Sequence, residues 1–170
     1  MKKVFLAAPF KSLVNSKTMS MDEEKKNEIV NLIEFLEKKG YSVHNAHKRE
    51  AWGQEFMSPE QCTKIDYDEI EKCDIFIAFP GIPASPGTHI EIGWASAFNK
   101  KIIFLLADDE EKYAYLIRGL HKVTDVTYII YHSIEEYYDN FICAAQKELS
   151  VTVADNFLPL VIRIAVLHLG

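Results

Sequence analysis

Short apolar runs at residues 4–8, 75–79, 101–106 and 127–131, with a further strand read at 41–45, alternate with longer segments whose apolar residues recur at helical spacing. The first such segment opens with Ser20-x-x-Glu23, a capping-box spacing, carries Ile29, Ile33 and Leu36 on one face, and stops at Gly40. The second begins at Ser58-Pro59-Glu60-Gln61, with Ser as cap, Pro at the first helical position and Gln at the box position, and is expected to reach about Lys72. Shorter helical segments are expected from residue 108 to near Gly119, and from Ser133-x-x-Glu136 with Tyr137, Phe141, Ala144 and Ala145 on the apolar side. Strand and helix in alternation predict an α/β fold: a single-domain, flavodoxin/Rossmann-like three-layer sandwich with a five-stranded parallel sheet. Residues 151–170 break the rhythm. Their apolar part, 158–167, is interrupted by Arg163 and reads as a packing extension or a partner-binding tail.

The third helical segment follows a loop with unusual punctuation. Ser85-Pro86-Gly87-Thr88-His89-Ile90-Glu91-Ile92-Gly93 lies between the run at 75–79 and a pattern continuing through Trp94, Ala95 and Phe98; Pro80, Gly81, Pro83, Pro86 and Gly87 mark the loop. In an open α/β sheet, ligands collect outside the carboxyl ends of the strands, and free amides at a helix start favour an anion such as phosphate. A small anionic ligand is therefore expected here. Thr88-x-x-Glu91 also has capping-box spacing, so Glu91 is either a cap for the Thr88 amide or a group with chemistry to perform.

Composition narrows the partners. The chain has 170 residues, 48% hydrophobic and 26% charged, enough for one domain with a real core. Its net charge of −6 supplies no basic stripe for a nucleic-acid backbone. Cys62, Cys73 and Cys143 are odd in number and widely spaced, which suggests neither a disulfide framework nor a zinc ribbon and fits a reducing cytoplasm. Met-Lys-Lys leads directly into the first apolar run, and no window reaches the length of a membrane span, so neither a signal peptide nor a membrane partner is expected.

Other chemistry-bearing positions carry two readings each. The segment Ala46-His47-Lys48-Arg49-Glu50-Ala51-Trp52-Gly53 is either solvated surface or, with Trp52 beside Arg49 and His47, the lining of a pocket for a planar anion. His44-x-x-His47 has a metal-like spacing, but strand alternation sends the two rings to opposite faces, and no metal or other cofactor is expected. The central loop is neither Gly-x-Gly-x-x-Gly nor a P-loop, so any phosphate pocket is small. Asp66, on the second helix, is an ordinary helix acid unless its position proves otherwise.

Three parts together resemble the nucleoside 2-deoxyribosyltransferase-like superfamily over roughly residues 3 to 148. They are Val4-Phe5-Leu6-Ala7-Ala8-Pro9-Phe10, Asp66 eight residues before Asp74, and Gly87-x-x-x-Glu91-Ile92-Gly93. Residues 45–53 and 79–96 are similar, more narrowly, to the CMP and hydroxymethyl-CMP N-glycosidases of nucleoside-antibiotic and antimetabolite pathways. The resemblance implies a catalytic domain over residues 1–150 that hydrolyses the N-glycosidic bond of CMP or 5-hydroxymethyl-CMP to free base and ribose 5-phosphate. The alternatives are a deoxyribosyltransferase and a non-catalytic nucleotide sensor.

Cleavage of a C1′–N1 bond passes through an oxocarbenium-like state that a carboxylate can stabilise and trap as a glycosyl ester. Glu91 is the expected nucleophile, kept anionic by the helix N-terminus, and Asp66 is expected to serve the leaving base, directly or through a water. Ser85 and the Gly87 and Thr88 amides are expected at the 5′-phosphate. Phe10 and Trp52 are candidate stacking partners for the base, and Lys11 reaches either the phosphate or the C5 substituent. The resemblance further implies that Ala7 belongs to the site and that Phe5, lacking a hydroxyl, leaves room for a 2′-OH. It also implies a homodimer in which Thr124, after Ile117-Arg118-Gly119, brings its hydroxyl to the neighbouring subunit's phosphate.

Overall fold

The computed structural model describes residues 1–9, 14–15, 20–21 and 23–131. The expectations placed on Phe10, Lys11, Cys143, the helix from Ser133 and residues 151–170 lie outside them. A parallel sheet is built from β1 (Lys3–Ala7), β4 (Ser42–His44), β5 (Ile75–Ala78), β6 (Lys101–Leu106) and β7 (Val126–Ile130), in the order β4-β1-β5-β6-β7. The five expected strands are all present. The near-continuous apolar character of β1, β5 and β6 reflects burial on both faces, whereas the edge strand β4 is only half-buried. Val4, Leu6, Ile77, Ile103 and Leu105 meet Ile29, Leu32, Ile33 and Leu36 of α1 (Glu23–Lys38) on one side. Phe5, Ala7, Phe76, Ile102, Phe104 and Leu106 meet Ile70 of α3 (Pro59–Lys72) and Ile92 and Ala95 of α4 (Pro86–Ala97) on the other.

Strand order reverses between β1 and β5, since β4 adds to one side of β1 and β5 to the other. The loops that leave these two strands diverge there and open a crevice at the carboxyl edge.

Local signals fare unevenly. Ser58 caps α3 as expected: its Oγ accepts from the Gln61 amide at 3.3 Å, and its own amide donates to Gln61 Oε1 at 3.1 Å. Gly40 ends the α1 connection at φ +86°, a conformation that favours glycine. Ser20, by contrast, is not a cap. It belongs to β3 (Ser20–Met21), paired antiparallel with β2 (Val14–Asn15), and the helix begins only at Glu23. Thr88 is not a cap either, because α4 starts at Pro86 with Ser85 in the N-cap position. That displacement puts Glu91 in the second turn, beyond the orphan amides that a box residue would answer. The segment after β4 is not an open loop but a short helix, α2 (Ala46–Arg49), and a 3₁₀ turn (Ala51–Gly53). Asn45 caps the start of this piece and ties it to β1, accepting from the Lys48 amide and donating from Nδ2 to the Leu6 carbonyl, each at 2.9 Å.

Candidate active site

Three elements, β4, α2 and α3, converge beside α4. Asp66, buried on α3, accepts a 2.5 Å hydrogen bond from Arg49 Nη1, and Arg49 Nη2 donates to Glu50 Oε1 at 2.9 Å. His44, the last residue of β4, puts Nε2 at 3.1 Å from the same Arg49 Nη1 and 3.5 Å from Asp66 Oδ1. Burial alone would raise the Asp66 pKa, but the polar groups of His44 and Arg49 gathered around it bring it below the ordinary carboxylate value. Arg49 in turn is raised, its burial outweighed by Asp66 and Glu50. The result is a fixed ion pair with Asp66 ionised.

Glu91 behaves in the opposite way. Burial, reinforced by the negative charge of Asp66, pushes it up to about 8, with Arg49 offsetting only part of the effect. The expectation that the helix terminus keeps Glu91 anionic is therefore corrected: the second turn lies outside the reach of the terminal field, and desolvation with a like-charged neighbour decides. Asp66, held as the anion by its neighbours, is placed to serve a leaving base through a water. Two carboxyl groups with pKa values driven apart by their surroundings are a signature of functional sites.

At the start of α4 the Ser85 and Thr88 hydroxyls bond to each other at 3.1 Å, and the first intrahelical amide bond is His89 N–H to Ser85 C=O at 2.9 Å. The Gly87 and Thr88 amides precede it and so point out of the helix start. A Cβ on Gly87 would meet nothing within 4 Å, so the space beside this turn is open. Gly87 and Glu91 are four residues apart and share one helix face. The loop feeding this turn is fixed at Gly81, where φ is +84° and a Cβ would lie 3.0 Å from both the Pro83 carbonyl and Pro9 Cγ. Gly81→Ala is expected to cost about 1–3 kcal/mol in denaturant unfolding, because neither contact is the end of a flexible side chain. A wild-type midpoint would remove Gly81 as the pin of this loop.

The remaining expected site residues are distributed through the fold. Phe5 is 1% exposed, its ring stacked between His44 (5.1 Å) and Phe76 (5.5 Å), so it backs His44. Ala7 is buried in β1 and gives its carbonyl to the Phe79 amide at 3.0 Å. His47 is fully buried, with Nε2 3.3 Å from the Pro9 carbonyl, and desolvation lowers it to about 4; it steadies the loop after β1 as a neutral ring. Trp52 packs on the α1 side of the core with left-handed φ of 59°, beside Ala51 at 47°. Non-glycine residues hold such angles only under tertiary constraint. Thr124 donates to the Lys100 carbonyl at 3.4 Å, at the amino edge of β6 and β7 and hence opposite the carboxyl-edge site of its own chain. On the α1 side of the carboxyl edge, Pro9, Glu28, Phe79, Gly81, Tyr113 and Tyr131 line a cavity of about 520 Å³ whose wall does not include Asp66 or Glu91.

Sequence reasoning passed over two members of the cluster, His44 and Glu50. Both flank Arg49 in the chain, but the short α2 helix that folds Arg49 back over the strand end was not visible in the pattern.

A model of the nucleoside 2-deoxyribosyltransferase family matches residues 5–157. Among solved structures, the Clostridium botulinum CMP N-glycosidase BcmB is 54% identical, with a TM-score of 0.66 over 84% of this chain and 99% of that one. The solution structure of BlsM is 45% identical, with a TM-score of 0.72 over 91% of this chain and 98% of the other. A search of curated proteins finds no match.

Proposed function

Because the chain belongs to the nucleoside 2-deoxyribosyltransferase family, we propose that it is an N-glycosidase that hydrolyses a cytidine 5′-monophosphate, plain or 5-hydroxymethylated, to the free base and ribose 5-phosphate. The observation that carries this reading is the arrangement on α4: Gly87 at the helix start and Glu91 one turn further on share one face. That separation suits a 5′-phosphate at the helix start and C1′ over the carboxyl group. The 54% identity to a CMP N-glycosidase supports the base and the hydrolytic outcome.

In the proposed mechanism the ionised Glu91 attacks C1′ as the C1′–N1 bond breaks, and its oxygen takes the anomeric position in a glycosyl ester. The bonding pair leaves with the cytosine, which takes a proton from a water held by Asp66. The hydroxide so formed then opens the ester, its oxygen going to C1′, and returns ribose 5-phosphate and the free carboxylate. Asp66 acts as an anion here: it orients the water and favours a protonated base. The chemistry calls on no cofactor. Incubating the protein with CMP, hydroxymethyl-CMP, dCMP, UMP and AMP under identical conditions tests the reading. Release of cytosine from a ribonucleotide is expected; faster cleavage of dCMP would overturn the ribose preference, and faster cleavage of AMP the pyrimidine. Transfer of the sugar to an added second base would favour the transferase alternative, and binding without base release a sensor.

The active unit is proposed to be a homodimer. The segment α5 (Tyr115–Gly119) and the turn after it expose Tyr115 at 85%, Leu116 at 84% and Val123 at 68%, a large apolar group for a free surface, and Thr124 follows directly. A second copy seated on this face would carry Thr124 to the other chain's α4 terminus. Leu116→Glu is expected to shift sedimentation from dimer to monomer and to remove activity with it. Thr124→Val is expected to leave the dimer intact while raising KM for the monophosphate about tenfold, the effect of one lost hydrogen bond to a charged group. A fully active monomer at micromolar concentration would end the shared-site idea.

A further inference from the structure

We propose that His44 is a positioning residue: its Nε2 lone pair, aimed by stacking of the ring on Phe5, receives Arg49 Nη1 and locks the guanidinium across Asp66 beside Glu91. The inference rests on the active-site reading above. It starts from the strand register. Phe5 lies opposite His44 on β4 and opposite Phe76 on β5, so three rings stand in a row across neighbouring strands. The first pair stacks at 24° and the second at 11°, which fixes the plane of the imidazole.

Nε2 faces two groups, and they make opposite demands. Arg49 Nη1 at 3.1 Å is always a donor, so the ring nitrogen it meets must be an acceptor; Asp66 Oδ1, at 3.5 Å, could only receive a proton from that nitrogen. The shorter contact selects the neutral ring protonated on Nδ1. Arg49 Nη1 then divides its two protons between His44 and Asp66, while Nη2 is held by Glu50. No hydrogen-bond partner is assigned to the buried Arg49 Nε, so the placement of this guanidinium rests on its two terminal nitrogens. His44 supplies one of three contacts. Without it the guanidinium is free to swing toward Glu50, and Asp66 loses the short bond that keeps its charge from acting in full on Glu91.

Two substitutions separate the acceptor from the ring. His44→Phe keeps the stack on Phe5 and removes the lone pair, whereas His44→Gln can return an acceptor oxygen at a similar reach without the ring. His44→Phe is expected to unfold within a few degrees of the parent but to lose roughly tenfold to a hundredfold in kcat on CMP with little change in KM, the scale of a small misplacement in an active site. His44→Gln is expected to recover most of that loss. In the ligand-free protein, the Glu91 carboxyl titration followed by ¹³C NMR is expected to move upward in His44→Phe and back toward the parent in His44→Gln. The titration needs no substrate, so it stands or falls independently of the CMP assignment; a parent protein inactive on every nucleotide would sink that assignment alone. Parent-like kcat and titration in His44→Phe would overturn the proposal. Losses in both variants that follow thermal stability, with no rescue by Gln, would overturn it as well and leave His44 a packing residue.

Discussion

Glu91→Gln is expected to abolish turnover, by at least about a thousandfold in kcat, in a protein that remains folded and is more stable than the parent at alkaline pH. The two halves have one cause. Only an ionised carboxylate can attack C1′, and glutamine has no such form. Yet the site that holds Glu91 raises its pKa from 4.5 to about 8, so folding favours its protonated state. The folded chain then carries a proton that the unfolded chain gives up above pH 4.5. Stability must fall as pH rises through the window from 4.5 to about 8, and the loss is complete above it.

A tenfold change in proton affinity between the folded and unfolded chains is worth about 1.4 kcal/mol, so the cost at pH 9 is on the order of a few kcal/mol, and removing the charge is expected to raise Tm by roughly 5–10 °C there. At pH 4, where both states are protonated, the two proteins are expected to melt together. Thermal melts from pH 4 to 9, read beside base release from CMP, make the comparison. Retained turnover would dismiss the nucleophile, and a Tm difference that does not depend on pH would dismiss the electrostatic cause. In the parent, kcat/KM is expected to climb with pH toward a plateau above about 8 as free Glu91 ionises.

Asp66→Asn is expected to lower kcat about a hundredfold, the ordinary reach of a general acid–base contribution, while moving the rising limb of kcat/KM to lower pH by about one pH unit. The sign distinguishes this residue from an ordinary active-site acid. Asp66 is the negative neighbour that raises Glu91, and Arg49 the positive one that lowers it. Replacing the anion by an amide leaves Arg49 unopposed, so Glu91 ionises more easily although the variant is slower. The penalty is expected to shrink for a nucleotide whose leaving base needs no proton. A limb that stays in place would separate Asp66 from Glu91 electrically, and equal losses for all leaving groups would make Asp66 an orienting group for the sugar.

What was legible in advance was the part of the molecule governed by near neighbours in the chain. Runs that are apolar at every position became strands buried on both faces, the Ser58 box became a cap, and the punctuation around Gly81 became the loop that feeds α4. Glu91 and Asp66 stood out through a resemblance of motif, and the fold brings them together. Their protonation was not legible. The spacing of Thr88 and Glu91 fits a capping box as well as it fits an interior turn, and only the docking of α4 decided that the helix begins at Pro86.

A carboxyl group's ionisation depends on what lies within a few ångströms in space, and the decisive neighbours of Glu91 come from α2 and α3, tens of residues away in sequence. The same holds for His44, which offered only a metal-like spacing until β4 paired with β1 and set it against Phe5, Arg49 and Asp66. Phe5 and His47, expected at the site, are turned inward, the one by its place in β1 and the other by a buried carbonyl, which the sequence alone did not show. Sequence by itself therefore determined the strands, the long helices and the acids of the site, since patterning and residue type are local properties. Which acid is charged, and which neighbour holds it so, was decided by the tertiary structure alone, because desolvation and Coulomb energy are set by distances that only packing creates.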